Sequence, residues 1–101
     1  TRLLLMCIDT VINEKICVVR FDLDKNRALV SINLAPSMRG NGLAKICLNA
    51  AINFLKTHAP SIDSLDAEIK STNRASIATF QGVGFSQVGE ELSLLRFQYK
   101  I

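Results

Sequence analysis

The chain has 101 residues, of which 49% are hydrophobic and 21% charged, with a net charge of +3. That is enough for one small domain with its own core, and the composition excludes a disordered chain. No apolar run approaches the roughly 20 residues of a membrane-spanning helix, and the absence of tryptophan, the single tyrosine and the lack of any dense Lys/Arg run exclude the usual nucleic-acid surface.

In chain order, Leu3 to Ile8 is a short apolar run, followed by a turn candidate at Asn13-Glu14-Lys15. Ile16 to Phe21 is rich in β-branched residues, and Asp22 to Asn26 reads as a polar hairpin loop. Arg27 to Leu34 follows, with Ala28, Val30, Ile32 and Leu34 on one face, so the first third predicts three consecutive antiparallel strands. Pro36 ends the third. From Leu43 to Thr57 the period becomes helical: Lys45, Asn49, Asn53 and Lys56 form a polar stripe, and Ile46, Cys47, Ala50, Ala51, Phe54 and Leu55 fill the rest. Pro60 prevents continuation, and His58 falls in the exit turn, where it reads as a surface residue compatible with the helix dipole. Leu65 to Lys70 alternates as a strand, and Asn73 is a good N-cap for a second helix from Arg74 to Gln81 that Gly82 and Gly84 terminate. Two final strands fit near Phe85 to Gly89 and Leu92 to Lys100. The order is β-β-β-α-β-α-β-β, an α+β (α/β) arrangement with two helices.

Cys7, Cys17 and Cys47 are an odd number without metal-ligand spacing, each within an apolar stretch. They read as buried reduced thiols of a cytoplasmic protein, and no metal site is expected. The chain begins at Thr1 inside an apolar run, which reads as the tail of a longer protein or a trimmed chain.

The segment Ser31 to Ala44 carries the chemistry. A strand, a proline stop, a glycine-bearing loop and the first turn of a helix present backbone N–H groups and the positive end of a helix dipole to one spot, where a phosphate can be held. A P-loop pattern is absent, and a dinucleotide loop fails at its third glycine, where Lys45 stands. Arg39, Gly42 and Ala44 fit R-x-x-G-x-A. A second pattern, E-x4-N-x2-S-x3-F-x3-G-F, runs through Glu68, Asn73, Ser76, Phe80, Gly84 and Phe85.

Together, in this order and at this separation, the two patterns resemble the GNAT superfamily of acyl-CoA-dependent N-acyltransferases, and especially the bacterial protein N-terminal alanine acetyltransferases. The resemblance covers roughly Ile16 to Lys100. It implies a mixed, mostly antiparallel sheet with two helices, acetyl-CoA as co-substrate and a small-molecule or peptide amine as acceptor. Backbone groups of Arg39, Gly40, Asn41, Gly42, Leu43 and Ala44 would hold the pyrophosphate, with Arg39 adding charge. Ile32, Asn33 and Leu34 would pair with the pantetheine arm as an added strand would. Asn73 would hydrogen-bond that arm and Phe80 would pack near its thiol end. Glu68 stands where the alanine acetyltransferases carry a general base; the plain alternative is an exposed strand glutamate without a role. Many relatives have a tyrosine acid where this chain has Phe80, which cannot donate a proton. The mildly basic balance suits a polyanionic cofactor.

The resemblance further implies that residues 1–101 are a single domain lacking the family's first strand and two helices, about 40 residues. An upstream domain or a partner copy in a homo-oligomer would then complete the acceptor wall. The leading expectation is direct acetyl transfer to a primary amine in a ternary complex, since no cysteine lies in the second pattern to carry the acyl group. The alternative is a non-catalytic acyl-CoA-binding module, or the C-terminal domain of a larger bifunctional enzyme.

Overall fold

A computed structural model describes residues 1–9, 14–34 and 42–101. Six strands form one sheet in the order β1-β2-β3-β4-β6-β5: β1 (Arg2–Asp9), β2 (Glu14–Asp24), β3 (Arg27–Leu34), β4 (Ser64–Lys70), β5 (Ser86–Glu91) and β6 (Leu94–Lys100). Two helices, α1 (Leu43–His58) and α2 (Arg74–Val83), pack against each other and against one face. The mixed, mostly antiparallel sheet expected from the sequence is present, with β3–β4 as its parallel pair among the described strands.

The core follows from period 2 in the strands and period 3.6 in α1. Val19 and Phe21 of β2, Ala28 and Val30 of β3, Leu65 and Ala67 of β4 and Phe97 of β6 turn to the helical side and are buried. From α1 they meet Cys47, Leu48, Ala51, Ile52 and Leu55, the i, i+1, i+4, i+5, i+8 stripe of an amphipathic helix. That stripe is narrower than the apolar set read from sequence. Ile46, Ala50 and Phe54 lie on the outer side, where hydrophobicity alone did not separate them from the buried row. Phe54 is partly covered by His58, whose ring stacks on it at 3.9 Å while Nδ1 donates to the Phe54 carbonyl at 3.0 Å.

Strand limits shift where cross-strand pairing extends a strand through polar residues. Asp22 to Asp24 belong to β2, paired with Leu29, Ala28 and Arg27, so the hairpin turn contracts to Lys25-Asn26. Glu14 and Lys15 likewise begin β2, opposite Asp9 and Ile8; Asn13 of that expected turn and Pro36, the expected strand stop, lie outside the described residues.

α2 ends in a Schellman arrangement. Phe85 N–H donates to the Phe80 carbonyl at 3.0 Å and Gly84 N–H to the Gln81 carbonyl at 3.1 Å, with Gly84 at φ 120°. The motif's hydrophobic contact is the edge-to-face pair of Phe80 and Phe85, 4.9 Å between ring centres.

The β5–β6 hairpin turns through Leu92 (φ 50°) and Ser93 (φ 69°), a two-residue loop with both central residues left-handed. Such a turn favours Asn-Gly, and Leu92 is 94% exposed, so its side chain packs on almost nothing. The double variant Leu92→Asn/Ser93→Gly is expected to raise stability by about 1 kcal/mol in urea unfolding, because left-handed backbone costs an ordinary residue about that much.

Candidate functional site

β3 and β4 pair over three positions only: Arg27 with Ser64, Ala28 with Leu65 and Leu29 with Asp66. β3 stays paired with β2 through Leu34, and β4 with β6 through Lys70. Past Leu29 and Asp66 the two strands therefore part, and the sheet opens in a V toward their C-terminal ends. The apex is tied by polar links: Arg27 grips Asp66 with Nη2 at 2.6 Å and Nε at 3.0 Å, and Asn26 Nδ2 donates to both carboxylate oxygens of Asp63 at 3.1 and 3.2 Å. The Asp66 carboxylate raises the Arg27 guanidinium above its ordinary value, chiefly by that hydrogen bond.

A cleft of about 580 Å³ lies at the open end of the V, within the size range of small-ligand sites. β3 contributes Ile32 and Asn33; Gly42, Leu43, Ala44 and Lys45 enter it from the start of α1; Asn73, Ser76 and Thr79 enter it from α2. Gly42 is the N-cap of α1 at φ 78° and makes no side-chain cap hydrogen bond. A Cβ added at Gly42 would meet no atom of the described residues within 4 Å. The first turn of α1 carries no acidic residue, and the amides of Ala44 and Lys45 have no carbonyl partner inside the helix. Positive helix-end potential thus faces this part of the cleft.

Asn73 serves two surfaces at once. Its Oδ1 accepts from Ser76 N–H at 3.2 Å and caps α2, which leaves its amide NH2 as a donor at the cleft.

A family model of GNAT acetyltransferases matches residues 7–85. The chain belongs to the GNAT acetyltransferase family. The comparison with curated protein sequences returned no significant match. Among solved structures, the fold is similar to a spermidine N-acetyltransferase from Vibrio cholerae in complex with CoA and spermine (17% identity, TM-score 0.83, 98% of this chain and 65% of that one). It is similar to a dodecameric structure of spermidine N-acetyltransferase from the same organism (18%, TM-score 0.85, 98% and 64%). It is also similar to a ribosomal-protein-S5-alanine acetyltransferase from Vibrio fischeri (16%, TM-score 0.81, 92% and 58%). This GNAT chain thus spans under two thirds of the length of these structures.

Of the residues singled out from sequence, Ile32, Asn33, Gly42, Leu43, Ala44 and Asn73 come together in the one cleft. Leu34 closes the β2–β3 pairing next to them, opposite Cys17. Arg39, Gly40 and Asn41 lie outside the described residues. Phe80 stands apart: it is 3% exposed, with its ring in the core against Phe85 rather than among the cleft-lining residues. Tyr99 is next in that stack, 5.3 Å from Phe85, with Lys56 Nζ 5.8 Å from its ring centre.

Glu68 lies on the opposite face of the sheet from the helices, in a second depression of about 390 Å³. This depression borders the apex of the V, since Leu29 and Asp66, the last β3–β4 pair, also line it. Lys45 and Thr79 were missed as cleft residues by the sequence reading. Lys45 was assigned to the solvated stripe of α1, yet its side chain reaches across to α2, where Cε and Nζ would lie 3.4 Å from a Cβ at Gly82. Thr79 sits three residues after Ser76 and six after Asn73, a helical spacing that could have flagged it.

Asn73→Ala removes the α2 cap and is expected to lower stability by about 1 kcal/mol in thermal or urea unfolding. Asn73→Ser, which can still cap, is expected to recover most of it.

Proposed function

We propose that the chain is an acetyl-CoA-dependent N-acetyltransferase domain that transfers the acetyl group directly to a primary amine in a ternary complex. The observation that carries the reading is the parting of β3 from β4 with the start of α1 at its open end. A strand edge, a positive helix end and the Asn73 amide then border one cleft.

The cofactor assignment follows from the donors. Amides at Gly42 to Lys45, with Arg39 to Asn41 preceding them in sequence, would hold the pyrophosphate, and the left-handed Gly42, which carries no side chain, lets the phosphate oxygens approach. Ile32, Asn33 and Leu34 would pair their main chain with the pantetheine amides, and Asn73 would donate to a pantetheine carbonyl. Acetyl-CoA supplies an activated thioester carbonyl. Phe80 supports this site from within the core, by fixing the end of α2.

The acceptor enters as an ammonium and must lose a proton before its lone pair can attack. Glu68 borders the apex of the V, on the face open to solvent, and makes no ion pair among the described residues that would occupy its carboxylate. It takes that proton directly or through one water. No tyrosine borders the cleft among the described residues, so the departing thiolate is protonated by solvent. A cytoplasmic setting suits the cysteine content. Association of copies is a further part of the reading, supported by the dodecameric neighbour.

Two variants test the two halves of the proposal. Gly42→Val places a β-branched side chain at positive φ and in the phosphate approach; acetyl-CoA affinity in calorimetry is expected to fall by at least about 10-fold. Unchanged affinity would remove the loop from the site. Glu68→Gln keeps shape but removes the base; kcat for thiol release with an amine acceptor is expected to fall about 10²-fold or more, with acetyl-CoA affinity retained.

A further inference from the structure

Glu68 on β4 and Arg96 on β6 are directly opposed Cα partners on the helix-free face of the sheet. Opposite charges so placed normally pair across the strands. Here neither residue makes an ion pair with any described residue. The reason lies one strand further out. The Arg96 guanidinium leans over Gly89 of β5, where Nη2 and Nε lie 2.9 and 3.2 Å from the position a Cβ on residue 89 would take. Any larger residue there would push Arg96 away, and the irregularity in β5 between Gln87 and Gly89 sits at the same spot.

Glycine at 89 thus parks the guanidinium away from Glu68, and both residues line the depression of about 390 Å³, together with Leu29 and Val88. The other acid in this depression, Asp66, is held by two of the three guanidinium nitrogens of Arg27. The surface therefore presents one uncommitted carboxylate and one uncommitted guanidinium. A polyamine, carrying several ammonium groups, would find a single carboxylate and a cation that repels it.

We propose that this depression receives the acceptor, and that the acceptor is a small zwitterion: a short amino acid whose amine sits at Glu68 and whose carboxylate is gripped by Arg96. This rests on the acetyl-transfer reading above and adds the substrate class. The Arg96 guanidinium stands over β5, two strand spacings or about 10 Å from the β4 backbone that carries Glu68. The Glu68 side chain with a hydrogen bond at each end takes up part of that span, which leaves room for a short molecule only. That room fits α- and β-amino acids. The fork of Arg96 matches a carboxylate with two hydrogen bonds, which makes it a specificity-determining residue.

The test is thiol release at saturating acetyl-CoA with alanine, β-alanine, propylamine and spermidine, for the unmodified chain and Arg96→Gln. The expected result is a kcat/KM for one of the amino acids at least about 10-fold above propylamine and spermidine, with the preference lost in Arg96→Gln through a raised KM for the amino acid. Equal or better use of propylamine or spermidine, or a preference that survives Arg96→Gln, would overturn the proposal. If acetyl-CoA binds in calorimetry but no amine is acetylated, amide shifts on adding β-alanine to the CoA-saturated protein decide the matter. Shifts at residues 68 and 96 support the site, and their absence overturns it while leaving the cofactor reading intact. Absence of acetyl-CoA binding would sink both.

Discussion

β3 and β4 touch for only three residue pairs, although each is paired along its length on its other side. β3 follows β2 as far as Leu34, and β4 follows β6 as far as Lys70. The right-handed twist that each ribbon accumulates carries the two apart once the pinned end at Arg27–Asp66 is passed. Backbone groups on the facing edges beyond that point need partners that the sheet itself does not supply. An extended ligand with its own amides is a natural partner, and everything else at the site is arranged around that opening.

The two faces of the V divide the chemistry. On the helical face, α1 starts at a left-handed glycine with no acidic residue in its first turn, so its positive end stays available for an anion. α2 starts at Asn73, whose cap bond consumes one side-chain atom and leaves the other facing the cleft. On the uncovered face, the Arg27–Asp66 fork and the offset of Arg96 over Gly89 determine which charges remain free.

How much of this could be read from the sequence depends on the range of the interaction. β3 was bounded correctly from Arg27 to Leu34, and α1 from Leu43, because alternation, a glycine and a period change are local signals. The α2 cap at Asn73 and the stop at Gly84 were legible for the same reason, whereas Gly82, read as part of that stop, lies inside the helix, which runs to Val83. The alternation of Leu65, Ala67 and Ile69 against Asp66, Glu68 and Lys70 separates Glu68 from the buried face of β4, but which side of the sheet the helices cover is set by tertiary packing and is not in that pattern. The reach of β2 to Asp24 was not legible, since its polar residues are held by pairing with β3. The buried position of Phe80 depends on Phe85 and the helix end, which a family pattern does not report. The relation of Arg96 to Gly89 joins two strands through a register irregularity; a lone glycine in a strand pattern was the one available hint.

The most direct test of the account is a backbone amide NMR titration of the chain with CoA. The account predicts that the largest shifts fall at Ile32, Asn33, Gly42, Ala44, Lys45 and Asn73, with residues on the β1–β2 side of the sheet unmoved. Saturable binding whose shifts spare both β3 beyond Val30 and the first turn of α1, or no binding at millimolar CoA, would contradict it.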